Sequence, residues 1–279
     1  MVRGVSRPID VCHLGRDRVI GAYERDGVIV DPGPASSVAA LDGIEPRALL
    51  LTHIHLDHAG ATGVLVRRHP DLVVYVHERG APHLIDPSKL LKSAGRLYGD
   101  QMERLWGEVA PVPEANVRAL SGGETVEGLL VAYTPGHASH HVCYLDQSTG
   151  DAYVGDVGGV RIPPSDYTVA PTPPPDIDVE AWGESLDTIA GWSPERLCLT
   201  HFGEVDDPPA QIERVREALA RQREWADGGD VESFGHALTD SMPHDVTPQF
   251  VQAAPPDQLF LGLERYLSKR AERAEAGAG

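Results

Sequence analysis

Four side chains able to bind a metal fall within six residues of Thr52-His53-Ile54-His55-Leu56-Asp57-His58, directly after an apolar run at 48–51. That run reads as a buried strand. An extended backbone leaving it projects alternate side chains, His53 and His55, to one side. Asp57 and His58 follow where the chain turns into a helix. Neutral imidazole suits zinc and iron, and a carboxylate adds compensating charge. Three other segments repeat the device with one residue each: Thr134-Pro135-Gly136-His137, Val154-Gly155-Asp156 and Cys198-Leu199-Thr200-His201. Each puts a ligand type at the end of a strand-like run and is weak alone. Four such strand ends in one chain point to a metal centre.

The elements that must position these residues alternate. Short β-rich segments are expected at 9–14, 19–24 and 28–31, the last stopped by Pro32-Gly33-Pro34. A short helix at 35–42, a buried strand at 48–52, a helix at 60–69 and a strand at 72–77 continue the series. From 79 to 113 the spacing changes: Leu90, Leu91, Ala94, Leu97, Tyr98, Met102, Leu105 and Trp106 recur at intervals of three and four, which predicts helix. Strands resume at 125–133, 141–145 and 152–154, so 79–113 is expected to be an inserted helical cap. A proline-rich stretch at 163–175 predicts no regular element. Helices at 179–191 and 210–226 flank a strand at 197–200, and an amphipathic helix is expected near 257–273 with a frayed tail after it. The expected division is a main domain over 1–228 carrying the cap, then a partly helical extension over 229–279.

The order HxHxDH at 53–58, TPGH ending at His137, Gly155-Asp156 and the late His201 resembles the metallo-β-lactamase-like superfamily. The match covers most of 9–205; the cap and the last 70 residues lie outside its motifs. The resemblance implies an α/β fold, a four-layer αββα sandwich, with two divalent metal ions at one edge of the paired sheets. Zinc is the first expectation, iron or manganese the alternatives. It implies that His53, His55 and His137 hold one ion, that Asp57, His58 and His201 hold the other, and that Asp156 bridges them. Asp31 in Val30-Asp31-Pro32-Gly33 resembles the family's early aspartate, which orients a ligand histidine and raises its basicity; a plain turn residue before proline is the other reading. His141 matches the second histidine of the glyoxalase-II-like pattern GHxxxH and is given a supporting role. His140 is expected to face solvent. His13, His69, His77, His83, His236 and His244 fit no ligand spacing, although His83 lies in the cap near the expected pocket. Cys143 is taken as core.

Such a pair of ions lowers the pKa of a bridging water from about 15.7 towards about 7. The resemblance therefore implies a hydroxide attacking an ester, thioester or lactone carbonyl, with Asp57 passing on its proton. Two other classes stay open: a mononuclear iron dioxygenase similar to the persulfide dioxygenases, and a non-catalytic metal-binding protein on the same scaffold. β-Lactam hydrolysis is expected as a side activity at most. Tyr98, Met102, Trp106 and Tyr167 are candidate pocket residues by position. Lys89 and Lys92, with Arg96, share a helix face at i, i+3 and i+7 and could anchor a substrate carboxylate. The acidic, alanine-rich end has no counterpart to the basic region with which glyoxalase II relatives hold glutathione.

No G-x-S-x-G elbow, S-x-x-K pair or G-x-x-x-x-G-K-[ST] loop offers a rival chemistry. A formal charge of −18 over 279 residues disfavours nucleic acid as a partner. No apolar stretch approaches a membrane span. The first fifteen residues carry no signal-peptide core, and Cys12, Cys143 and Cys198 suit reduced thiols. The expectation is a cytoplasmic enzyme acting on a small molecule, with a homodimer through the cap or the C-terminal helix as an option.

Overall fold

Strand runs buried on both faces are what a sandwich needs, and the chain supplies two sets. The computed structural model describes residues 8–277. Most of the fifteen residues without a signal-peptide core fall within it, but the first seven do not, and neither do the last two of the tail. In the first sheet β1 (Pro8–Asp10), β2 (Gly21–Arg25), β3 (Val28–Val30), β4 (Ala48–Leu50), β5 (Val73–His77) and β6 (Val117–Leu120) lie side by side in chain order. The second sheet runs β12 (Gly203–Val205), β11 (Arg196–Leu199), β10 (Asp151–Tyr153), β9 (Val142–Asp146), β8 (Leu129–Tyr133) and β7 (Thr125–Val126). Strands β3 to β6 pair in parallel, as do β10 and β11, and the other pairs are antiparallel.

The side-chain period of two sorts the core into layers. Val28, Val30, Ala48 and Leu50 face Leu129, Val131, Val142, Tyr144 and Tyr153 across the gap between the sheets. Their neighbours Ile29, Leu49, Leu51, Val74 and Val76 face outward, beneath Leu65, Val66 and Leu84. Those three belong to α2 (Thr62–Arg68) and α3 (Ala81–Ile85), which follow the short α1 (Leu56–Ala59). Each such residue, fully buried, contributes about 1.5–3 kcal/mol. The cap continues with α4 (Ser88–Tyr98) and α5 (Met102–Trp106), between β5 and β6.

Five helices form the fourth layer, over the second sheet: α6 (Val179–Gly191), α7 (Pro208–Ala226), α8 (Val231–Ser241), α9 (Thr247–Ala253) and α10 (Pro256–Gly277). Trp182, Leu186, Val215, Phe234, Phe250 and Leu263 join Ala152, Val154, Leu197 and Leu199 in one core. The C-terminal helices therefore share the hydrophobic core of the second sheet.

The structure departs locally from the sequence expectations. The strand expected at 9–14 ends at Asp10, because Cys12 and Leu14 take φ of 46° and 54° around a 3-10 turn. The helix expected at 60–69 is α2, and an additional short helix, α1, precedes it with Asp57 and His58 inside. Strands β6 and β12 and helices α8 and α9 were not foreseen. Helix α8 starts at a capping box in which Asp230 accepts from the Ser233 backbone, while the Ser233 hydroxyl meets the Asp230 backbone. At 163–175 there is no helix or strand, only the Val160–Val169 bridge at its side.

Candidate metal centre

The loops that carry the metal-capable side chains all leave the strands at one edge of the sandwich. Past β4 the backbone stays extended through His53 to His55, whose φ and ψ of −61° and 150° make it the cap of α1. His53 Nε2 thereby comes 3.0 Å from His55 Nδ1. The helical turn then rotates Asp57 and His58 away from that pair. His137 arrives from the β8–β9 loop, its Nε2 2.9 Å from His55 Nδ1. Gly136 lets it in: with φ of 135°, a Cβ there would lie 2.4 Å from the Trp182 backbone. Asp156 follows β10 and His201 follows β11. A Cβ on Gly155 would lie 2.5 Å from Thr52 Oγ1 and 2.8 Å from His141 Nε2, so the strand end before Asp156 must be glycine.

Two clusters result. His53, His55, His137 and Asp156 form one; Asp57, His58 and His201 form the other, with the ligand atoms of each within 4.8 Å of one another. Asp156 faces both. Its Oδ2 is 3.2 Å from His137 Nε2 and 4.0 Å from His53 Nε2. Its Oδ1 is 3.1 Å from His58 Nε2 and 3.4 Å from His201 Nε2. Asp57 Oδ2 stands 3.5 Å from His201 Nε2 and 3.8 Å from His58 Nε2.

Whether this set fits metal ions can be decided from the outer ring nitrogens. A neutral imidazole has one N–H and one lone pair. His137 Nδ1 donates to the Pro171 carbonyl at 2.8 Å and His201 Nδ1 to the Val19 carbonyl at 2.5 Å. His58 Nδ1 donates to Asp31 Oδ2 at 2.8 Å. The Thr52 hydroxyl gives its own proton to Asp31, which leaves it to accept from His53 Nδ1 at 3.1 Å. All four rings thus turn a lone pair inward. His58 Nε2, His201 Nε2 and Asp156 Oδ1 are buried without a hydrogen-bond partner. Inward lone pairs and carboxylates with no donors among them call for cations, and nitrogen with oxygen donors suits a divalent transition metal. The residues fit the group.

The electrostatics of the ligands alone agree. Burial opposes charge on His58, but Asp156, Asp57 and Asp31 outweigh it and raise its pKa well above the ordinary value. His201 is raised against burial by Asp156 and Asp57. Around His53, His55 and His137 burial prevails, placing all three below the usual histidine value, His55 at about 4. Burial works against ionising Asp57 and Asp156 as well, yet the facing imidazoles hold both below the usual carboxylate range. In the absence of cations, protons on His58 and His201 are the positive charge that the carboxylates attract.

Asp31 is more than a turn residue. Fully buried at φ of 48°, it accepts from Thr52 N at 2.8 Å, Thr52 Oγ1 at 2.7 Å, His58 Nδ1 and Thr200 Oγ1 at 3.2 Å. It joins three loops. His141 is buried beside His53, ring centroids 5.1 Å apart, with Nδ1 2.9 Å from Thr134 Oγ1. Cys143 is fully buried, and burial pushes its thiol up to about 12.

A cavity of about 520 Å3 opens over the centre, lined by His55, Asp57 and Asp156 below and by Lys89, Arg96, Tyr98 and Trp106 of the cap. The proline-rich loop and residues 252–259 complete it. Lys92, Met102 and Tyr167 do not line it. Tyr167 packs on Phe250 beneath Arg221, in the C-terminal layer. Lys92 lies outside for a reason of phase: at about 100° per residue, Lys89, Leu90, Ser93, Ala94, Arg96 and Leu97 span an arc that it just misses. His13 and His83, which fit no ligand spacing, line the cavity, and so does His140. His140 does not face solvent; it is 9% exposed. No helix among the described residues is long and apolar enough to cross a membrane.

Comparison with known proteins agrees with this geometry. The "Metallo-beta-lactamase fold-containing protein ST1585" of Sulfurisphaera tokodaii is 28% identical over 210 residues, 71% of this chain and 77% of its own. The crystal structure of that archaeal protein superposes with a TM-score of 0.70 at 22% identity, covering 96% of this chain and all of the other. The crystal structure of TTHA1623 in a di-iron-bound form gives a TM-score of 0.53 at 27% identity, over 70% of this chain and 91% of the other. A hydroxyacylglutathione hydrolase of Salmonella paratyphi A is 30% identical over 125 residues, and the matched segment spans 38% of its length. A sequence model of the metallo-beta-lactamase superfamily matches residues 19–201. Two strand-edge clusters that share one aspartate, set in this sandwich, agree with that match, and the chain belongs to the metallo-beta-lactamase superfamily.

Proposed function

We propose that the chain is a metal-dependent hydrolase that cleaves an ester, thioester or lactone bond of a small substrate at a dinuclear centre. One observation carries the proposal: Asp156 turns one oxygen to each of two histidine clusters, and both open on the same cavity. Had a single ion sufficed, as in a mononuclear iron dioxygenase, nothing would require His58 Nε2 and His201 Nε2 to converge unpartnered on Asp57.

Two divalent ions held there would supply Lewis acidity for the scissile carbonyl and for water, whose pKa falls towards about 7 on such a metal. The protein's own groups divide the remaining work. Asp156, with 5% of its side chain exposed, is the more enclosed of the two carboxylates and holds position. Asp57 is the more open carboxylate, at 21%, and lines the cavity. Ionised by its histidine neighbours, it can take the proton of the attacking water and hand it to the leaving group. Tyr98, Trp106 and Leu97 give an acyl chain apolar surface and exclude water. The metal is zinc by the donor set, with iron or manganese as alternatives, and β-lactams are at most side substrates. Free cysteines, two of the three buried, suit a reducing compartment, and we place the enzyme in the cytoplasm.

Elemental analysis of protein purified without added metal, paired with a panel of aryl esters, thioesters and lactones, tests this. The expected result is two metal ions per chain, turnover abolished by chelation and restored by zinc. One ferrous iron with oxygen consumption, or a full hydrolytic rate without metal, overturns it.

A further inference from the structure

His140 is a buried polar side chain on the cavity wall that the metal clusters leave unexplained. It is 9% exposed and belongs to neither cluster. Its Nδ1 is buried without a hydrogen-bond partner, and among the described residues no hydrogen bond reaches either ring nitrogen. The ring stacks on His53 at 6.2 Å between centroids and 13° between planes, and meets His55 edge-on at 5.8 Å. It therefore borders both the first cluster and the open space above it. A neutral imidazole always carries one N–H, and a buried donor without an acceptor is costly. Nδ1 is closed off from the cavity, and Nε2, which also has no partner among the described residues, is the atom that a ligand in the cavity would meet.

We propose that His140 is a substrate-recognition residue, and that the substrate's acyl part carries an uncharged polar group close to the scissile carbonyl. The proposal rests on the hydrolase assignment above and names the substrate class of that same site. Proximity to His53 and His55 sets the position: a carbonyl held at the clusters has its nearest acyl atoms beside His140. Charge sets the class. Asp176 lines the same part of the cavity, held by the Ser139 hydroxyl at 2.6 Å, and its negative charge disfavours a carboxylate there. Arg79 could attract one, but its guanidinium donates to the Tyr133 hydroxyl at 3.0 Å and lies over that ring. A hydroxyl or amide both donates and accepts, and so satisfies the imidazole in either tautomer.

The test compares aryl esters of hexanoate with those carrying a hydroxyl on carbon two or three, using zinc-loaded wild type, His140→Phe and His140→Gln. Wild type is expected to favour a hydroxylated ester. His140→Phe should lower kcat/KM for that ester by about tenfold or more, mainly through KM, and change the plain ester by less than about threefold. His140→Gln should restore part of the loss, with metal content and Tm unchanged in both. Calorimetry of the free acids provides a readout independent of turnover: the hydroxy acid should bind wild type more tightly than hexanoate, and the preference should vanish in His140→Phe. Equal losses on both esters, or no preference in wild type, overturn the proposal while the hydrolase assignment stands. No turnover of any ester, with the acid preference and its dependence on His140 intact, overturns the hydrolase assignment and supports this one.

Discussion

The floor and the roof of the cavity are built differently. On the floor the ligand histidines, His55 apart, are almost fully buried, and four rings are fixed from behind by a backbone carbonyl, a carboxylate or a hydroxyl. On the roof α4 has no buried residue, and Tyr98 reaches Gln258 by one hydrogen bond of 3.3 Å. Trp106 packs between Tyr98, at 5.0 Å, and His13, at 5.5 Å. The difference teaches where specification resides. The chemistry is held by orientation from the backbone and the outer partners, and a ring so held cannot turn away when a ligand leaves. In the proposed hydrolase, selectivity would be left to side chains that share a surface, which can be retuned without touching the ligand residues.

The largest effects should come from the floor, and two of its three carboxylates, Asp156 and Asp31, should differ. Asp156→Ala removes an oxygen from each cluster; metal content and activity should fall to the level of chelated protein. Asp31→Ala leaves every ligand atom in place but frees His58 Nδ1 and the Thr52 and Thr200 hydroxyls. Outer partners of this kind are worth about 10–100-fold in metal affinity, and the loss should fall on the ion near His58. A competing chelator should then strip the protein in two resolved steps. One common step, or full metal in Asp156→Ala, breaks the distinction.

On the roof, Tyr98→Phe deletes one neutral hydrogen bond worth about 0.5–1.5 kcal/mol. KM should change by about two- to tenfold at unchanged metal content, read by steady-state kinetics with parallel elemental analysis. A loss of metal would mean that the roof helps to hold the floor.

The smallest effect concerns metal-free protein and follows from the sign of the shifts. His53, His55 and His137 have lowered pKa values, so the unfolded chain takes up protons first. Stability should fall as pH drops below about 6.5, and for His55 the fall ends at about 4. His58 and His201 are raised, and their contribution, full below about 6.5, is lost as pH climbs through their folded values. Thermal midpoints of chelated protein should therefore peak near neutrality, and loading with zinc should flatten the alkaline side. A midpoint that rises steadily with pH would reverse the assignment.

The floor was legible because its signal is local. A strand end needs only a few residues to declare itself: His53, Asp156 and His201 each stand two residues beyond an apolar run, and His137 stands four beyond one. Asp31 was legible in part: the sequence placed it before proline, but its reach to Thr200 depends on the second sheet. The roof was legible in part: the helical cap was expected, and Tyr98, Trp106 and Lys89 line the cavity as the sequence suggested, whereas its other residues were misplaced. His140 looks like a surface residue until the turn opened by Gly136 folds it against His53. Lys89 and Lys92 look equivalent until the axis of α4 is known, and Tyr167 looked like a pocket residue while α8 and α9, which claim it through Ser241 and Phe250, were unforeseen. Helices α8 and α9 were hidden by the glycines and prolines at their borders, which punctuate a sequence whether or not a helix lies between them.

The shared aspartate has a consequence for how the polypeptide becomes able to bind metal. Residues 53 to 58 leave the first sheet, whereas 137, 156 and 201 leave the second. Neither half of the chain can grip an ion with a full complement of donors. Metal capture must wait until the halves have docked, and an ion then acts as a rivet across their seam: a split gene expressed as two fragments should reassemble more tightly in the presence of zinc than without it.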